Sequence, residues 1–115
     1  MSALQEEFAQ SVAKLIQKAP AFGLTVTLGE AWRTSQQAQW DADHHIGIAH
    51  SLHMERLAID LNLFKNGVYQ ADDSQGAYTA LGTWWESLGP AYRWGGRFKL
   101  VDLDHFSITP DGVRA

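Results

Sequence analysis

The sequence predicts an α+β fold: a small, mostly antiparallel sheet with helices packed against it. Three observations carry this. Segments near residues 2–19 and 74–88 place apolar residues at three- and four-residue spacing, as amphipathic helices do. Leu57 to Phe64 alternates apolar and polar residues with period two, as a half-buried strand does. The predicted order of helix, strand, helix, strands, helix, strand suits a sheet covered by helices.

The first helix is expected from Ser2 to about Ala19. Leu4, Phe8, Val12, Leu15 and Ile16 share a face, Ser2 and Gln5 fit a capping box, and Pro20 ends the run. LTVTLGEAW (Leu24 to Trp32) opens with β-branched alternation and is expected to be a strand. SQQAQWDADHH reads as a short helix capped by Thr34 or Ser35, and IGIAHS as loop. In LAIDLNLF, Ile59, Leu61 and Leu63 share one face while Ala58, Asp60 and Asn62 share the other. Lys65-Asn66-Gly67 then turns the chain into a hairpin with VYQ. A second long helix spans about Ser74 to Leu88, with Tyr78, Leu81, Trp85 and Leu88 on its buried side and Gly89-Pro90 as its stop. RWGGRF is expected to be a glycine-bearing loop. DHFSI is a last short strand, with His105 and Ser107 on one face and Phe106 and Ile108 on the other.

At 115 residues the chain is expected to form one domain, 1–115, and its five Trp, five Phe and three Tyr supply much of a core. It has no cysteine, so any metal must be held by His, Asp or Glu. Its formal net charge is -4 and its Lys and Arg are scattered singly, which argues against a nucleic-acid partner. No apolar run approaches the roughly 20 residues of a membrane span. MSALQEEFAQSVAKL has acidic residues and no unbroken apolar core, so no export signal is expected.

Strand alternation points to one constellation. Asp60 lies opposite a full apolar stripe, and His105 lies opposite Phe106 and Ile108. If the two strands are neighbours, both side chains project into one site, with His53 arriving from the preceding loop. Two imidazoles and a carboxylate suit a catalytic zinc, which keeps a fourth position for water. The same residues could equally be solvated surface groups, and spacing alone does not decide between these readings.

SLHMERLAID (residues 51–60) resembles the SxHxxGxAxD motif of the VanY-like zinc peptidases, the family of D-Ala-D-Ala carboxypeptidases and L-alanyl-D-glutamate endopeptidases; Ser51, His53, Ala58 and Asp60 fall in register. DLDHF resembles the second motif, an acidic residue three positions before a histidine, here Asp102 and His105. WGGRF resembles the Trp-Gly-Gly stretch that precedes it, and EAWRTSQQ the upstream segment that carries an arginine, here Arg33. The motifs run from about Thr27 to Ile108 in the family's order. One departs: Arg56 stands where the motif has glycine.

The resemblance implies a Hedgehog/DD-peptidase-like fold and a Zn2+ cofactor held by His53, Asp60 and His105. Asp102 would be the general base, with Asp104 as a rival that alternation turns away from His105. Arg33 would stabilise the oxyanion or hold a substrate carboxylate. Ser51, Arg56 and Gln37, with Gln36 as an alternative to Gln37, would contact substrate. His44, His45 and His50 are expected to be helix-end and loop residues, Trp84 and Trp85 core or groove wall, and Trp94 a lining of the cleft. The substrate would be the peptide stem of peptidoglycan, cut between L-Ala and D-Glu by a monomeric phage endolysin. Such a lysin would accumulate in the host cytoplasm and act on the wall after release. A D-Ala-D-Ala carboxypeptidase or dipeptidase is the alternative within the family. From other classes come a non-catalytic wall-binding or phage structural module, and a non-haem iron oxygenase, which the lack of any His-x-Asp disfavours.

Overall fold

The computed structural model describes residues 3–29 and 57–110. Helix α1 (Ala3–Lys18) leads through a 3-10 turn (Ala19–Phe22) into β1 (Leu24–Leu28). The long strand β2 (Ala58–Lys65), the short β3 (Val68–Tyr69) and helix α2 (Ala77–Glu86) follow. Strand β4 (Tyr92–Trp94), a 3-10 turn (Gly95–Arg97) and β5 (His105–Ile108) complete the described chain.

The sheet is antiparallel throughout, in the order β1-β2-β5-β4, with β3 added beside β2. Strand β2 organises it. One edge pairs residues 61–65 with β1, and the other pairs Ala58, Ile59 and Asp60 with Ser107, Phe106 and His105 of β5. Between β5 and β3 that second edge has a gap, spanned in part by the Tyr78 hydroxyl. It accepts from the Leu63 amide at 3.5 Å and donates to the Gln70 carbonyl at 2.7 Å. Burial pushes this phenol's pKa up to about 12.

The apolar faces meet as the periodicity requires. Phe8 and Leu15 of α1 and Tyr78, Leu81 and Trp85 of α2 are buried with Ile59, Leu61, Leu63, Phe106 and Ile108. Trp85 is the hub: Phe8, Tyr92 and Phe106 approach it edge-on, and its indole N–H donates to the Ser107 carbonyl at 3.1 Å. The hairpin forms as expected, with Asn66 (φ 52°) and Gly67 (φ 78°) both left-handed, as a two-residue turn between twisted strands demands.

Several boundaries differ from expectation. Strand β1 stops at Leu28, where Gly29 donates its amide to the Asp60 carbonyl at 2.7 Å. Helix α2 starts at Ala77, because the Asp73 carboxylate bonds the amides of Tyr78 and Thr79 from outside the helix. The helix ends at Glu86, so Leu88, expected on its buried side, lies beyond it and is exposed. RWGGRF is a strand followed by a 3-10 turn rather than a loop, since Tyr92–Trp94 pairs with β5. Trp94 packs into the core at 3% exposure instead of lining a cleft. The expected helix SQQAQWDADHH and loop IGIAHS lie outside the described residues.

Candidate metal centre

Asp60 and His105 are direct cross-strand partners in the β2–β5 ladder. Their strand neighbours Ile59, Leu61 and Phe106 enter the core, so alternation sends both side chains to the opposite face. Asp102 joins them from a tight turn. The His105 amide donates to the Asp102 carbonyl at 3.2 Å, and the Asp102 amide donates to the Gly95 carbonyl at 2.9 Å. This is the bend that lets a residue three positions upstream share His105's side of the sheet. His105 Nδ1 lies 3.9 Å from Asp60 Oδ1 and 3.9 Å from Asp102 Oδ2.

Among the described residues, Asp60, Asp102 and His105 can bring one ligand atom each to within 4.8 Å of the others. Two carboxylate oxygens and an imidazole nitrogen are donors that a zinc-type cation accepts, and the donor set fits such an ion. The carboxylates differ in setting: the Asp60 side chain is 22% exposed and that of Asp102 51%. A shielded carboxylate suits a ligand, and a more open one suits a group that exchanges protons with a bound molecule.

His105 Nε2 is 2.9 Å from the hydroxyl of fully buried Ser107. With Nε2–H donating there, Nδ1 keeps its lone pair for a cation. The Phe98 ring lies 5.1 Å from the imidazole and shields it. Gly29 abuts Asp60, where an added Cβ would come within 3.0 Å of the Asp60 Cβ. Burial, followed by a hydrogen bond with Asp102 and that residue's charge, pushes the Asp104 carboxyl up to about 6. A cavity of about 240 Å³ opens beside Asp102 and Asp104, walled by Tyr69, Tyr78 and Val101.

The structure thus brings together Asp60, His105 and Asp102. The other expected site residues, His53, Arg33, Ser51, Arg56 and Gln37 with Gln36, lie outside the described residues, as do His44, His45 and His50. Sequence reasoning missed Ser107 and Phe98. Period two had placed Ser107 on His105's face, which was the available signal; nothing local marked Phe98, because its contact depends on the turn at 102–105.

No curated protein matches the chain. Its fold resembles the crystal structure of Serratia marcescens L-Ala D-Glu endopeptidase ChiX, with a TM-score of 0.67 at 21% identity over 95% of this chain and 89% of that one. The model of the M15 peptidase family described as D-alanyl-D-alanine carboxypeptidase matches residues 47–108, more than half of the chain. That stretch contains His53, Asp60, Asp102 and His105. The chain therefore belongs to the M15 D-alanyl-D-alanine carboxypeptidase family, metallopeptidases that act on peptidoglycan.

Proposed function

We propose that the protein is a zinc-dependent endopeptidase that cuts the peptidoglycan stem between L-Ala and D-Glu. The observation that carries a hydrolytic reading is the convergence of Asp60, His105 and Asp102, of which Asp102 lines an open cavity. The fold shared with ChiX, an L-Ala D-Glu endopeptidase, favours that bond. The family model's own description favours the terminal D-Ala-D-Ala bond instead. As part of the same proposal the enzyme is a monomeric phage endolysin that reaches the wall after release from the host cytoplasm.

Asp60 and His105 would hold the ion together with His53. Zinc, when bound, supplies a Lewis acid that acidifies water and polarises a scissile carbonyl. Asp102 accepts a proton from the attacking water as its oxygen bonds to the carbonyl carbon. It returns that proton to the amine nitrogen as the C–N bond breaks, so the carboxylate is regenerated. Ser107 holds the His105 tautomer throughout, and Arg33 would complement the charge that develops on the carbonyl oxygen. Ser51, Arg56 and Gln37 would contact the stem.

The test is digestion of purified peptidoglycan by zinc-loaded protein, with Asp102→Asn in parallel and mass spectrometry of the products. New amino-terminal D-Glu stems, absent with the variant, are expected. Release of D-Ala alone would move the protein to the carboxypeptidases. Intact peptidoglycan after treatment with protein that binds zinc would favour a binding module.

A further inference from the structure

Asp60 and His105 sit in a hydrogen-bonded ladder, which fixes their positions. Asp102 lies outside any strand, and the chain reaches it through Leu100 and Val101, 87% and 64% exposed. Packing on that side does not hold the carboxylate; the turn is anchored to β2 at Asp104, whose carbonyl accepts the Leu61 amide at 2.9 Å, and it is held again on its other side.

That side is Trp94-Gly95-Gly96. The Trp94 indole N–H donates to the Leu103 carbonyl at 2.7 Å, gripping the middle of the Asp102–His105 turn. The Gly95 carbonyl accepts the Asp102 amide at 2.9 Å. The indole is held closely: a Cβ at Gly82 of α2 or at Gly96 would overlap it, and the Arg97 guanidinium lies 5.1 Å over its ring. A Cβ at Gly95 would overlap the Asp102 carbonyl and lie 2.8 Å from the His105 Cβ. These glycines are explained by close approach, since neither Gly95 nor Gly96 has a positive φ.

We propose that Trp94 and Gly95 form a clamp that positions Asp102, Trp94 through its indole N–H and Gly95 through its missing side chain. This rests on Asp102 being the base of the proposed hydrolysis. Trp94 is a positioning residue: it acts on the backbone of the turn, and through it on the carboxylate.

Trp94→Phe tests the clamp, because it keeps an aromatic ring between the glycines and removes the donor. Trp85→Phe is the matched control, a core indole whose N–H bonds the Ser107 carbonyl. Two readouts are needed: peptidoglycan hydrolysis, and amide hydrogen exchange in the zinc-free protein. For Trp94→Phe, kcat should fall about 10- to 100-fold with KM within about twofold, as expected for a misplaced catalytic group. Exchange at the Asp102 and His105 amides should rise about tenfold relative to the ladder amide of Ile108, since the turn opens locally. Trp85→Phe should change all three amides together and spare the kcat-to-KM balance. The clamp is overturned if Trp94→Phe leaves the Asp102 and His105 amides as protected, relative to Ile108, as in wild type. It is also overturned if kcat falls equally in the two variants. If the wild type hydrolyses no stem bond, the functional reading fails on its own, and the exchange comparison still decides whether Trp94 holds the turn.

Discussion

At the scale of single residues, Ser107 is the least conspicuous member of the site and one of the most informative. Its hydroxyl is buried, and His105 Nε2 lies 2.9 Å away. Losing an outer partner of a metal-bound imidazole typically weakens metal binding about 10- to 100-fold. Ser107→Ala should therefore weaken zinc binding by about that factor in calorimetric titration, while Asp102→Asn should leave it within a few-fold. Equal losses in the two variants would make Asp102 a ligand rather than a base. Tyr78, a wall of the cavity beside Asp102, gives a separate test that does not depend on a metal. Its phenol is raised to about 12 in the folded protein, above its ordinary value of 10.0. A raised phenol stabilises the fold fully below pH 10, and that contribution is lost as pH climbs through about 12. The melting temperature of the wild type should fall more steeply between pH 10 and 12 than that of Tyr78→Phe. Parallel declines would mean that Tyr78 does not titrate differently in the two states.

Among the elements, the β2–β3 hairpin depends on backbone geometry more than on packing. Gly67 has φ 78° and no atom within 4 Å of an added Cβ, so Gly67→Ala isolates the conformational cost. A left-handed alanine should cost about 1–2 kcal/mol, read by urea unfolding at an unchanged m-value. A change below a few tenths would mean that the turn relaxes to another type. This hairpin was legible because Asn-Gly between alternating residues is a local signal. Strand β2 and the buried faces of both helices were legible for the same reason, since period two and period 3.6 are written in consecutive residues. Strand β4 was not. It has three residues, too few to show a period, and it exists because β5 offers an edge thirteen residues later. The site follows the same rule. Asp60 and His105 could be placed on one face from alternation, but their adjacency required the β2–β5 register, and the route by which Asp102 reaches them required the Gly95 contact.

For the molecule as a whole, the candidate site ties together parts that are distant in sequence. Asp60 belongs to the central strand, His105 to the strand beside it, and Asp102 to the turn that feeds that strand. The opposite face of both strands is the aromatic core covered by α1 and α2. An ion held here would link two strands whose other sides are packed, so binding should be coupled to the global unfolding transition rather than to a peripheral loop. A ligand that binds only the folded state stabilises it by about 2.7 kcal/mol at a free concentration 100 times its Kd. For a chain near 100 residues each kcal/mol is worth about 4 °C or more, so zinc at that excess should raise Tm by roughly 10 °C. Excess chelator should reverse the rise. Asp60→Asn should abolish it, because the change removes a proposed ligand from the ladder itself, whereas Asp102→Asn should keep most of it. A rise that survives in Asp60→Asn would place the ion somewhere other than between these two strands. An unchanged Tm in wild type, despite zinc bound in calorimetry, would mean that the site stays formed in the unfolded ensemble or couples only to local opening.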